Sequence, residues 1–204
     1  MSKIHSLLII ALVTLFLAPA AFAQDDSGDE DLFVLHDPTY VNEEYGFGVA
    51  LPDNYRGFNL SGDEIFMAQF LSDPELPSGQ LTIEELPEDI VDSSGFWLWI
   101  KQRDPATENN LTYEKTSSVA GTGAIQTRIE RIERGGYILI LSWIFVHDGY
   151  GYTLSVTPGM DMDVDATRDL GTTLSEQFRW MTAEEIGEFN SETDETEIPA
   201  GEEF

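Results

Sequence analysis

The 204-residue chain contains no cysteine, so disulfides, thiolate metal sites and a cysteine nucleophile are excluded together. Bases are scarce as well: 10 Lys and Arg stand against 38 Asp and Glu, a formal charge of −28. A chain this acidic lacks the cationic footprint that nucleic-acid binding needs. Only two lysines, Lys101 and Lys115, lie beyond the first few residues. The histidines His5, His36 and His147 fall in no His-x-x-x-His or Glu-x-x-His spacing, so the sequence pattern of a zinc hydrolase is missing. No Gly-x-Ser-x-Gly elbow accompanies them, and a serine triad has no support.

Apolar residues are not lacking. A hydrophobic fraction of 42% and an aromatic fraction of 11% suffice for one packed domain. The first 23 residues read as a signal peptide. Lys3 and His5 open it, an apolar run from Leu7 to Ala18 is broken only by Thr14, and Ala21-Phe22-Ala23 supplies a small-residue cleavage site. The apolar run is short for a membrane span, which needs about 20 residues. Gln24 would then begin the mature protein, a periplasmic or secreted chain with no stable membrane span after cleavage. With no cysteine after the run, a bacterial lipoprotein is excluded.

Two acidic stretches flank the domain. Residues 24–31 hold five acids and no base, and residues 183–204 hold nine acids and no base. Like-charge runs of this kind stay solvated and mobile, so both are expected to be tails. The intervening domain, residues 32–182, keeps 24 acids and 9 bases, so the tails explain only part of the charge.

Within the domain, Tyr45, Phe47, Val49 and Leu51 alternate with small residues and predict a strand that Pro52 stops. Ile65–Leu71 and Leu81–Leu86 predict two more. Asp92-Ser93-Ser94-Gly95 ahead of Phe96, Trp97 and Ile100 predicts a capped short helix, closed by Asp104-Pro105. Residues 111–157 predict three antiparallel strands: Ala124–Glu133, an almost continuously apolar Tyr137–Val146 buried on both faces, and an alternating Tyr150–Val156. Arg134-Gly135-Gly136 and Asp148-Gly149 are their turn signals. From Asp163 to Phe178, apolar residues recur every four positions (Ala166, Leu170, Leu174, Phe178), which predicts a helix with acids at its positive end. No internal repeat is present. The order predicts an α+β fold, an antiparallel β-sheet with helices packed on it.

The opening segment YVNEEYGFGVALPDNY, the later DGYGYTLSVTPG and the helix ending in EQFRW resemble PsbP-like domains over about Tyr40 to Trp180. That resemblance implies an α/β/α sandwich. The family includes extrinsic proteins of photosystem II, a Ran-GTPase-binding protein and secreted bacterial proteins of unknown role. It therefore implies a binding or accessory module rather than an enzyme, and it carries over no catalytic residue. Fold alone does not fix function.

Several side-chain groups are candidates for chemistry. Asp161, Asp163 and Asp165 alternate as the first positions of an EF-hand do, so a weak calcium site is one reading. Ala166 and Thr172 stand where that loop needs glycine and a bidentate glutamate, and helix N-terminal capping is the plainer reading. Glu84, Glu85, Glu88, Asp89 and Asp92 form a second acidic stretch, read as a solvated loop. Trp97 and Trp99 point about 200° apart on a helix, so one buried stripe cannot hold both. Either one of them marks a partner surface or a second layer covers it. Arg128, Arg131 and Arg134 are the one basic concentration, with Glu130 and Glu133 among them as partners for an ion-pair ladder. An anion or an acidic partner is the lesser alternative there.

The leading expectation is an exported, non-catalytic module that binds an envelope or secreted protein and uses no cofactor. The competing one is a carboxylate-based calcium-binding protein or exported hydrolase. The export reading has a direct check. Intact-mass measurement on protein from its native host should show a chain beginning at Gln24, and a mass retaining residues 1–23 would refute it.

Overall fold

The computed structural model describes residues 39–60, 65–133 and 136–194. Residues 1–23, expected to be an export signal, residues 24–31, His36, Arg134 and residues 195–204 lie outside them.

The run expected to be buried on both faces is strand β8 (Gly136–His147), hydrogen-bonded on one side to β7 (Thr122–Glu133) and on the other to β9 (Tyr150–Thr157). On one face Leu139, Leu141, Trp143 and Phe145 are buried. On the other, Ile144 is buried, and Ser142 is buried with its hydroxyl 2.9 Å from that of Ser155. Each face therefore needs a cover. Asp148 and Gly149, both at positive φ, make the tight turn into β9, as the Asp-Gly pair predicts.

Seven strands form one antiparallel sheet in the order β3-β4-β5-β9-β8-β7-β6. Here β3 is Arg56–Asn59, β4 Phe66–Leu71, β5 Ser78–Glu85 and β6 Leu111–Val119. The first cover is a three-stranded sheet, β1-β2-β10, together with helix α3 (Val164–Gln177). Its strands are β1 (Thr39–Asn42), β2 (Phe47–Ala50) and β10 (Phe178–Trp180). Aromatic rings join the two sheets: Phe47 stacks on Phe178 at 5.0 Å, and Phe178 meets Phe145 edge-on at 5.4 Å. Helix α3 lies so close to β8 that a Cβ on Gly171 would stand 2.4 Å from Trp143.

The second cover is helix α1 (Ser93–Arg103) followed by a short helix, α2 (Pro105–Asn109). Asp92 caps α1 by accepting the Gly95 N–H at 2.7 Å. The helix starts beside β7, where Ser93 donates to the Gly123 carbonyl, and ends over β5, where Arg103 meets Glu84 at 2.7 Å. Those strands are three steps apart, about 14 Å at ordinary strand spacing. An 11-residue helix is about 16 Å long, so its length matches the crossing. Gly151 admits the ring of Phe96, which a Cβ there would meet at 2.5 Å.

The structure departs from the sequence reading in several places. Four strands, not three, occupy residues 111–157, because β6 pairs with β7 along its length. Strand β6 is exposed on both faces over residues 112–116, so no apolar alternation announces it. Its turn uses Ala120 at φ 48° before Gly121, a position where sequence rules expect Asn, Asp or Gly. Strands β1, β3 and β10 and helix α2 are also additional, each five residues or fewer.

The largest correction concerns the first twelve residues of the stretch 183–204, expected to be a mobile tail. Residues Ala183–Asp194 form helix α4. Thr182 and Glu185 cap it reciprocally: the Thr182 N–H donates to Glu185 Oε2 at 2.7 Å, and the Glu185 N–H donates to Thr182 Oγ1 at 3.2 Å. Ile186 is buried, and Glu184 and Glu185 suit the positive end of the helix. The folded unit thus runs at least to Asp194.

Ile186→Ala should cost about 2 kcal/mol in thermal unfolding, near the low end for burial at a domain margin. An unchanged melting curve would show that α4 does not dock. The hydrogen bonds from the Thr182 backbone and side chain hold the Glu185 carboxyl below its usual range. A carboxylate depressed in the folded state stabilises above its unfolded pKa and loses that contribution as pH falls through the folded value. The first turn of α4 should therefore fray on acidification below about pH 4.

Candidate functional site

Helix α1 carries the densest aromatic group. Phe96 and Trp97 are buried against Ile125 and Ile144 of the large sheet. The Trp97 indole N–H donates to Glu114 Oε2 at 2.7 Å, and Lys101 sits 5.1 Å from the same ring. Trp97 therefore belongs to the second core. Trp99 points elsewhere, as the 200° rotation requires. It is half-buried, 5.9 Å from Phe96, with the Arg103 guanidinium 4.0 Å above its ring. Arg103 is held there by Glu84, so one member of the acidic stretch 84–92 is an ion-pair partner and another, Asp92, is a helix cap. Leu98 of the same helix, and Val91 just ahead of its cap, remain exposed.

Asp161, Asp163 and Asp165 do not converge. Asp163 Oδ1 accepts the N–H groups of Asp165 and Ala166, both at 2.9 Å, and caps α3. Asp161 Oδ1 accepts the Asp163 N–H at 3.2 Å, and Asp165 pairs with Arg168 at 2.7 Å. Among the described residues, no group of three or more His, Asp or Glu side chains gathers at one point. The alternating acids are used in local turns and caps.

His147 ends β8, stacks on Trp180 at 3.7 Å and lies 3.4 Å from Asp148. Among the described residues, the pKa is displaced from its ordinary value at Glu185 and at five tyrosines. Burial pushes Tyr40 up to about 12 and Tyr152 higher still, and these two lie in the core.

Arg128 of β7 forms its ion pair along its own strand and not across to a neighbour. Arg128 Nε lies 2.5 Å from Glu130 Oε1 on the same strand and the same face, off the direction of a hydrogen bond. What sequence reading missed is the company Arg128 keeps. A cleft of about 470 Å³ opens between the β6–β7 edge and α3, and its walls include Lys115, Arg128 and Arg168. The only hint in the sequence is the period of two that places Tyr113, Lys115 and Arg128 on one face once β6 is known to be a strand.

No protein-family model matches the sequence, and neither does any curated protein. Solved structures do match. The solution structure of cyanobacterial PsbP from Synechocystis superposes with a TM-score of 0.53 at 15% identity, covering 77% of this chain and 98% of that one. The fold is PsbP-like. A protein from Bacteroides thetaiotaomicron, at 10% identity, has a TM-score of 0.48 over 74% of this chain and 51% of its own. A point mutant of the protein Mog1 has a TM-score of 0.47 at 9% identity, over 74% of this chain and 98% of its own. At such identities the likeness concerns the fold alone. Among the described residues of this PsbP-like domain, no helix is long and apolar enough to cross a membrane.

The capping role of Asp163 is open to measurement. Asp163→Ala should lower stability by about 1 kcal/mol, the usual cost of losing a cap. Millimolar calcium should leave the melting temperature where an NaCl control of equal ionic strength leaves it. A large calcium-specific rise would instead show that these acids hold the ion.

Proposed function

We propose that the chain is an exported, non-catalytic module that docks a protein partner in the cell envelope through the outer face of α1. The observation that carries this reading is the stack of Trp99 on Arg103 on α1, with Leu98 exposed on the same helix and Val91 exposed just ahead of its cap. Val91 is 77% and Leu98 53% exposed. Large apolar side chains exposed beside a stacked Trp–Arg pair suit a contact surface. Trp and Arg are the residue types that dominate binding energy at protein interfaces, and here they are stacked and held in place before any partner arrives. Preorganisation lowers the entropic cost of docking. Trp97 serves the same surface from below, because its hydrogen bond to Glu114 fixes the helix on the sheet. The location in the envelope rests on reading residues 1–23 as an export signal.

Leu98→Arg combined with Val91→Arg tests the reading, since both side chains are exposed and the substitutions spare the core. Mature protein should capture a specific partner from envelope extracts of its host, and the double variant should lose at least tenfold of it. Lys115→Glu, on the opposite face of the sheet, should retain it. Equal capture by the α1 variant, or no specific capture by the wild type, would refute this function.

A further inference from the structure

The cleft between the β6–β7 edge and α3 lies on the face of the large sheet that α1 does not cover. Tyr113 pairs with Arg128 across β6 and β7, and Lys115 with Gln126, so these four side chains form one patch. Glu130 stands two residues beyond Arg128, and Arg168 approaches from α3, one turn before the close contact of Gly171 with Trp143. Three residues distant in the chain are thus brought together by the meeting of a helix with a sheet edge.

The charge of this patch is opposite to that of the protein. Acids outnumber bases 38 to 10 in the chain, yet the cleft is walled by three bases and one acid. Their charges are only partly spent. Lys115 has no carboxylate within 4 Å among the described residues, and its nearest partner is the Tyr113 ring at 5.7 Å. Arg168 pairs with Asp165 at the surface, an exposed contact that contributes little. Arg128 pairs with Glu130 through its Nε, which is buried without a hydrogen bond, and its guanidinium also meets the Tyr137 hydroxyl, so its charge is spent in part. At physiological salt the screening length is about 8 Å, so acids elsewhere on the surface do not cancel cations that line one cavity.

The geometry points to an anion-binding site in this cleft, for a small ligand bearing two or more oxyanion charges. Two guanidinium groups offer planar pairs of donors suited to phosphoryl or carboxylate oxygens, and Lys115 adds a point charge. Gln126 and Tyr113 add polar contacts at the same wall. The volume falls within the range of small-molecule sites, which run from about 300 to 1,000 Å³. Its lining, with Leu141 the one aliphatic side chain, suits a hydrophilic ligand and not a lipid tail. The site is separate from the α1 surface and does not depend on it.

Calorimetric titration of the mature protein with inorganic pyrophosphate and, separately, with citrate at constant ionic strength tests this. Saturable one-to-one binding of at least one probe is expected, and which of the two binds more tightly tells a phosphoryl ligand from a polycarboxylate. Lys115→Glu combined with Arg168→Glu should weaken that binding at least tenfold while leaving the melting temperature close to wild type, because both side chains are exposed. Should the charge-reversed protein fold poorly, Lys115→Gln with Arg168→Gln is to be read in its place, and it should weaken binding at least fivefold. Absence of saturable binding by both probes, or binding unchanged in the folded variant, would overturn the site.

Discussion

A strand that is apolar on both faces leaves a protein little choice, because each face must be covered before the strand can leave water. Strand β8 imposes that condition on the whole chain. Its odd-numbered side chains draw in the small sheet and α3, and its even-numbered ones draw in α1. Two close approaches fix the distances: α3 rests against Trp143 at Gly171, and the Phe96 ring of α1 enters the space over Gly151 on the next strand. Packing at such contacts is tight enough that one methyl group would displace a ring. The three-layer sandwich, the crossing direction of α1 and the position of α3 all follow from that double burial.

The scarce cations are placed with the same economy. Lys101 and Arg103 sit on α1, where they stack on Trp97 and Trp99 and pair with Glu114 and Glu84. They pin the second layer to the sheet. Lys115, Arg128 and Arg168 gather on the opposite face. A surface dominated by one sign of charge is self-repulsive, and it is soluble for the same reason. Against that background, cations that hold a helix in place and cations that line a cavity do different work. The first group is consumed by internal partners and the second is left partly available.

Much of the fold was legible because its signals are short-range. The alternation in Phe47–Leu51 and Tyr150–Val156 gave strands, the four-residue spacing through Leu170 and Leu174 gave α3, and Asp92 and Asp163 gave its caps and those of α1. The missed elements lack such signals. Strand β6 is an exposed edge whose apolar residues do not alternate, and Ala120 disguises its turn. Helix α4 is so acidic that composition argued for a solvated tail, and one buried side chain, Ile186, with a Thr182–Glu185 cap outweighed that composition. The candidate surfaces divide in the same way. The pair Trp97 and Trp99 could be singled out, but not which of them would be covered.

The sequence by itself determined the absence of thiol chemistry, the excess of negative charge, the strand-and-helix alternation and the need for two covering layers. These are properties of composition and of windows a few residues wide. Tertiary structure decided that β5 lies beside β9 and far from β6, that Trp97 faces Glu114 while Trp99 meets Arg103, and that Lys115, Arg128 and Arg168 share a cleft. The last three residues span more than 50 positions of chain. Their proximity depends on strand order and on the seat of α3 over β8, which are set by burial of the whole core and not by any local pattern.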